Sequence, residues 1–506
     1  MSRRQVIALV VALIIGGQLL LRLSTQQRSP GQAAAQPENL RMGAVTFTPC
    51  RIGTHGMMGV GSAQAYCAAF GVPEDWEAPA ARHISLKVAI VRSAAARSAP
   101  DLVTLLDGGP GGAATQDYPA LAGALSALRR QHDILLIDQR GTGDSNALTC
   151  PAEQPEQSQP HDISASLQQV RRCLAQVSLH AAPEHYTTTD AVRDLEAVRQ
   201  GLGAPRLDLI GISYGTRVAQ QYAARYPGSV RSIVLDSTVP NTLALGSEHA
   251  RNLEHALSAL FARCSADRGC RKSFGDSYAT LYRVRDRLRA HPAMVTLRDP
   301  ASFEPLQLRF TAEDLIGIVR FYAYSPLTSA LLPLMLHEAD QGNYAPLLSE
   351  KKLLSDDLGQ EITGGAELSV VCAEDADLLT IAAQDADTLL GNDAPARIQS
   401  ACTVWPKGFR PAQFHQPFRS QLPVLILAGE YDPVTPPAYG MEMLATLGHA
   451  RLLLARGQGH GVIGAGCMPK LIDQFVQSLN PTALDATCLS ALGDTPPFIN
   501  YNGAAP

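Results

Sequence analysis

The sequence predicts an α/β protein: a mostly parallel, doubly wound sheet interrupted late in the chain by an inserted helical cap. Three observations lead there. Short runs at 86–91, 102–106, 134–137, 207–210, 232–235, 424–427 and 451–454 are apolar throughout or nearly so, as strands buried on both faces must be. Helix-like segments such as 190–202 and 216–224 separate several of them, the alternation of a doubly wound fold. Between about 239 and 417 the strand pattern lapses into helical segments, clearest at 248–262, 274–290 and 329–339.

An insertion between late strands lies over the carboxyl ends of the sheet, where ligands bind in such folds. The expected organisation is therefore a leader and linker over 1–35, core over 36–240, cap over 241–417, and the rest of the core over 418–506. At 506 residues the chain is too long for one simple core. A net charge of −5 and a pI near 6.2 argue against nucleic acid as a partner.

Arg3 and Arg4 precede a run from Val6 to Leu23 that carries no charge before Arg22, and a polar stretch follows. This is the layout of an export leader. Because roughly 17–25 apolar residues can cross a bilayer, membrane contact is expected only through this segment, should it stay uncleaved. The ten cysteines fall into neighbouring couples, and no Cys-x-x-Cys with a partner histidine occurs. Disulfides in an oxidising compartment are expected, with a periplasmic or secreted location in a bacterium and no metal site. Neighbour-to-neighbour pairing is the simplest arrangement.

Gly211-Ile212-Ser213-Tyr214-Gly215 follows the run at 207–210 and opens the helix-like segment 216–224. A strand-to-helix turn this tight demands small residues around the serine. It presents Ser213 Oγ at a helix N-terminus, where developing negative charge is favoured. A nucleophilic serine needs a base, and the base an orienting carboxylate. Asp432 lies just past the run at 424–427, and His460, between Gly459 and Gly461, lies just past the run at 451–454. That is the Ser, acid, His order of the α/β-hydrolase core. Asp236 and Glu430 are competing acids. For the oxyanion, the Tyr214 amide and an amide of the glycine-rich segment 107–112 are the candidate donors.

These residues carry a resemblance. Gly108-Gly109-Pro110-Gly111, Asp138-Gln139-Arg140-Gly141-Thr142-Gly143-Asp144-Ser145 and Gly211 to Thr216 are similar to the proline iminopeptidase and tripeptidyl aminopeptidase family of α/β-hydrolases. From Ser400 the chain resembles the tripeptidyl aminopeptidases, with Cys402, Trp405-Pro406 and the Asp432 and His460 loops. The resemblance implies Ser213, Asp432 and His460 as a triad and Gly109 and Tyr214 as oxyanion donors. The sequence departs from the iminopeptidase pattern at Asp107, where histidine is usual, and at Tyr214, where tryptophan is usual. Arg140 and Asp138 read as structural ion-pair partners bracing the site loops.

The expected activity is that of an exported serine hydrolase that needs no cofactor, acting on a peptide or small acyl substrate. An aminopeptidase is favoured over a carboxylic-ester hydrolase, and a non-catalytic binding protein is the remote alternative. The resembled aminopeptidases place the region matching 370–377 near the bound N-terminus. Glu374 and Asp375 are therefore the expected ammonium ligands, against the plainer reading of a solvated acidic helix start.

Overall fold

In the computed structural model, residues 38–53, 61–150, 163–298, 302–351 and 363–504 are described. The leader at 1–35 and the Pro/Gln-rich stretch at 151–160 lie outside the described residues. The apolar runs become β4 (His83–Val91), β5 (Leu102–Leu106), β6 (Ile134–Ile137), β7 (Leu207–Ile212), β8 (Val230–Asp236), β11 (Val424–Gly429) and β12 (Ala450–Ala455). They are joined by β1 (Leu40–Met42), β2 (Val45–Ile52) and β3 (Ala63–Pro73) in one ten-stranded sheet, ordered β1-β2-β3-β4-β6-β5-β7-β8-β11-β12. The pairings from β6 to β12 are parallel, and those from β1 to β6 antiparallel.

The parallel strands are buried on both faces because each face has its own helices. Val424 and Ile426 pack on one side with Val192 and Val198 of helix Thr188–Gly201 and Val218 of helix Tyr214–Arg225. Leu425 and Leu427 pack on the other with Tyr118 of helix Ala114–Leu121 and Leu471 and Phe475 of helix Met468–Ser478. The antiparallel end reads differently in sequence: β2 and β3 are only partly buried and mix polar with apolar residues. A disulfide from Cys50 to Cys67 joins them.

The insertion carries its own apolar core, built from helices His249–Ala266, Ser277–Ala290, Ala312–Tyr322 and Leu332–Asp340. The helix expected over 274–290 begins only at Ser277, after a shorter helix that ends at Phe274. Gly275, at φ +67°, ends Arg268–Phe274, and Asp276 caps the next helix by accepting the Ala279 amide, a contact worth about 1 kcal/mol. A hairpin of β9 (Ala293–Arg298) and β10 (Pro305–Phe310) interrupts the helical run. Helix Gly364–Glu374 packs not on the cap core but on the sheet, through Val370, Val371 and Cys372. No helix among the described residues is long and apolar enough to cross a membrane. Each cysteine pairs with its sequence neighbour: Cys50–Cys67, Cys150–Cys173, Cys264–Cys270, Cys372–Cys402 and Cys467–Cys488.

Candidate active site

Ser213 stands between β7 and helix Tyr214–Arg225 at φ 54°, a backbone state that costs a non-glycine residue about 1–3 kcal/mol. Its neighbours make the turn feasible. A Cβ at Gly211 would stand 2.5 Å from the Gly215 carbonyl oxygen, and one at Gly215 would overlap the carbonyl oxygen of Leu106. The Ser213 amide donates to the Asp236 carbonyl at 2.9 Å, tying the turn to the end of β8.

His460 arrives on the loop after β12. Its Nδ1 lies 2.9 Å from each carboxylate oxygen of Asp432, on the loop after β11. Asp432 Oδ1 also accepts the amides of Val434 and Thr435, and Oδ2 accepts the Thr435 hydroxyl. Burial is the largest influence on the Asp432 carboxyl and pushes it up. The charge and hydrogen bond of His460, with those amides, outweigh it and hold the group below the ordinary carboxylate range. Burial likewise disfavours the His460 cation, yet Asp432 overcomes it and raises the imidazole above 6.5.

The competing acids have other partners. Asp236 accepts the amides of Val462 and Ile463, and burial pushes it up to about 6 against them. Glu430 accepts the Gly457 amide. Both carboxylates hold the histidine loop by its backbone. The cap completes the setting: the Tyr324 carbonyl accepts the His460 amide at 2.8 Å, and the Tyr324 ring meets the imidazole edge-on at 5.0 Å. Gly459 is glycine because a Cβ there would strike that same carbonyl.

The glycine-rich loop after β5 lies against the serine. A Cβ at Gly108 would stand 3.2 Å from Ser213 Cβ, while Gly109 has φ +105° and Gly111 φ +112°. Asp107 Oδ1 accepts the Gly108 amide and helps shape the loop. Tyr214 opens its helix, so its amide has no helical carbonyl to bind. Gly108, the neighbour of Gly109, and Tyr214 thus adjoin Ser213 from two separate elements.

Glu374 and Asp375 are not where an ammonium ligand belongs. Both are fully buried: Glu374 accepts the Thr188 amide and hydroxyl, and Asp375 pairs with Arg217. The apolar face of their helix packs on the sheet and carries them inward, and only Asp377 is exposed, bound by Arg410. The structure also re-pairs Arg140. It binds Asp194 through two bonds of 2.6 and 2.7 Å and caps the carbonyls of Glu74 and His185, while Asp138 accepts from Thr115 and the Asp144 amide.

Further titratable groups lie around Arg320, whose charge also reaches His460. Glu367 keeps a solvent-open face yet is surrounded enough for burial to push its carboxyl up, against the pull of Arg320. It follows Thr363, whose amide donates to the Gly111 carbonyl. Arg320 is one turn ahead of Tyr324. Burial, then the charges of Arg320 and His460, lower His249 to about 3, leaving it a neutral imidazole. Thr435 was readable from sequence, since Asp432-Pro433-Val434-Thr435 is an Asx-turn pattern. Glu367 and Tyr324 had no local signal.

Comparison with known proteins places this geometry. The alpha/beta hydrolase fold family matches residues 101–311, and the TAP-like protein family matches residues 388–488. The chain is 26% identical over 417 residues to the putative hydrolase YuaR of Escherichia coli, spanning 78% of this chain and 81% of that one. It is 25% identical over 479 residues to the serine protease Hip1 of Mycobacterium tuberculosis, spanning 85% and 88%. It is 26% identical over 456 residues to the tripeptidyl aminopeptidase of Streptomyces coelicolor, spanning 83% and 82%. The chain is an α/β hydrolase of the serine hydrolase class, with a TAP-like C-terminal segment.

Proposed function

We propose that this enzyme is an exported serine aminopeptidase working through Ser213, His460 and Asp432. The observation that carries the reading is the Asp432–His460 pair, held on the strand end that also anchors the Ser213 amide. His460 Nε2 takes the Ser213 hydroxyl proton as Oγ attacks the substrate carbonyl carbon. The amides of Gly109 and Tyr214 receive the oxyanion. His460 returns the proton to the leaving amine as the C–N bond breaks, leaving an acyl-serine ester. Water, deprotonated by His460, then attacks that ester, and the proton passes back to Ser213. Asp432 stays ionised throughout and stabilises the imidazolium.

Peptide substrates are favoured by the relatives named as a serine protease and a tripeptidyl aminopeptidase. Release from the N-terminus is favoured by Glu367, an exposed carboxylate near Arg320, whose charge also reaches His460, and so placed to meet a substrate ammonium. Export is favoured by five disulfides, which persist in oxidising compartments.

A panel of peptidyl amides with free amines, their N-acetylated counterparts and short-chain esters tests the reading. Free-amine peptides are expected to be cleaved with the highest kcat/KM. Equal cleavage of N-acetylated peptides would remove the aminopeptidase assignment, and turnover of esters alone would establish the ester hydrolase instead.

A further inference from the structure

One helix touches both halves of the proposed oxyanion hole. At the start of Gly364–Glu374, the Thr363 amide donates to the Gly111 carbonyl at 3.0 Å, fastening the loop that holds Gly109. At its end, Glu374 is wholly buried. Its Oε1 accepts the Thr188 amide at 2.6 Å and its Oε2 the Thr188 hydroxyl at 2.8 Å. Thr188 Oγ1 in turn shares a 2.6 Å hydrogen bond with the Tyr214 hydroxyl. Next along the chain, Asp375 pairs at 2.9 Å with Arg217, one turn further along the nucleophile helix, and both side chains have no exposed surface. Cys372 is bonded to Cys402, and Arg410 and His415 both contact the Glu374 carbonyl.

Burying a carboxyl costs several kcal/mol unless it is well partnered, and an apolar residue would pack this position more simply. Burial, then the neighbouring Asp375, push Glu374 up to about 8, so near neutral pH it is largely the uncharged acid. An acid can accept the Thr188 amide on one oxygen and bond the Thr188 hydroxyl on the other. The chain of hydrogen bonds then ends on the ring of Tyr214, itself buried. Holding Tyr214 by its hydroxyl and Arg217 by its guanidinium gives the nucleophile helix two points of attachment, which prevent it from rotating about its axis.

We propose that Glu374 is a positioning residue for the reaction: through Thr188 and the Tyr214 hydroxyl it sets the direction of the Tyr214 amide toward the oxyanion. The proposal rests on the reading of that amide as an oxyanion donor. A donor's strength falls steeply with misalignment, and misplacement remote from the chemistry can cost about a hundredfold in rate. The same helix, tied at its other end to Gly111, registers the Gly109 loop against the Tyr214 turn.

Thr188→Val and Tyr214→Phe each cut the chain of hydrogen bonds while leaving the side-chain shape almost unchanged. Each is expected to lower kcat roughly ten- to a hundredfold with KM almost unmoved. Each should weaken a peptide aldehyde inhibitor, whose adduct oxygen occupies the oxyanion position, by the same factor. Glu374→Gln keeps an acceptor for the Thr188 amide and a partner for its hydroxyl. It is expected to retain kcat and aldehyde affinity, whereas Glu374→Leu loses both. Unchanged kcat and aldehyde affinity in Thr188→Val and Tyr214→Phe would overturn the proposal, and this holds even if Glu374→Leu fails to fold. Ser213→Ala, assayed alongside, separates the two levels. If it is inactive while Thr188→Val matches wild type, the positioning claim alone fails. If it remains active, the serine reading fails and the proposal with it.

Discussion

Asp236 Oδ2 accepts the Ile463 amide at 2.7 Å, three residues past His460, while the imidazole itself belongs to Asp432. Two carboxylates at neighbouring strand ends therefore divide the work, one holding the loop and the other the ring. Asp236→Asn turns an –NH2 toward one of the Val462 and Ile463 amides, leaving donor against donor. It is expected to lower stability by about 1–3 kcal/mol, read from denaturant unfolding. Asp432→Asn is expected to lower turnover by about three or more orders of magnitude. The reverse ranking on turnover would reassign the acid to Asp236.

The pH dependence follows from the same pair. On the proposed mechanism, hydrolysis requires a neutral His460, and Asp432 raises that imidazole above 6.5 against the effect of burial. As pH falls, kcat/KM should therefore drop with a midpoint above 6.5. In Asp432→Asn the main raising influence is gone while burial and only the smaller pull of Asp236 remain, so the midpoint should move to lower pH. A midpoint that stays put in the variant would mean that another group controls the limb.

The proposed ligand for a substrate ammonium is Glu367, an exposed carboxylate within reach of the Arg320 charge. Glu367→Gln is expected to raise KM for free-amine peptides by about tenfold or more, since a hydrogen bond to a charged group is worth about 1.5–3 kcal/mol. Small uncharged esters should be almost unaffected. Equal losses on both substrate classes would show that the residue supports the fold of the cleft instead.

The Cys372–Cys402 bond closes a 30-residue separation at the end of helix Gly364–Glu374. Replacing both cysteines by serine is expected to lower stability by roughly 3 kcal/mol on the loop-entropy estimate, measured by urea unfolding. Peptide mapping without reduction should recover the two as one linked species, and an alkylated thiol at either position would refute the pairing.

What the sequence revealed depended on how each residue is buried. β5, β6 and β11 are covered on both faces and read as apolar runs, broken only by Thr104 in β5. β2 and β3 at the antiparallel edge are covered unevenly, and β9 and β10 alternate within a segment otherwise rich in helix, so none of them produces such a run. Ser213, Asp432 and His460 stand out as candidates in the sequence because each follows a recognisable strand and their order is distinctive. Glu374, Asp375 and Asp377 look alike in sequence, and only the packing of Val370, Val371 and Cys372 on the sheet decides that the first two turn inward. Arg140, in the turn after β6, found its partner in Asp194, 54 residues away on helix Thr188–Gly201, a pairing that local spacing could not reveal.

The central claim is that Ser213 is the nucleophile, and mass spectrometry after reaction with a fluorophosphonate tests it most directly. The observation behind it is the strained serine between Gly211 and Gly215, where neither glycine tolerates a Cβ. The account predicts one adduct, mapped to Ser213, with labelling abolished in Ser213→Ala although that variant keeps the wild-type fold. An adduct on a different residue, or labelling of Ser213→Ala at the wild-type rate, would contradict it.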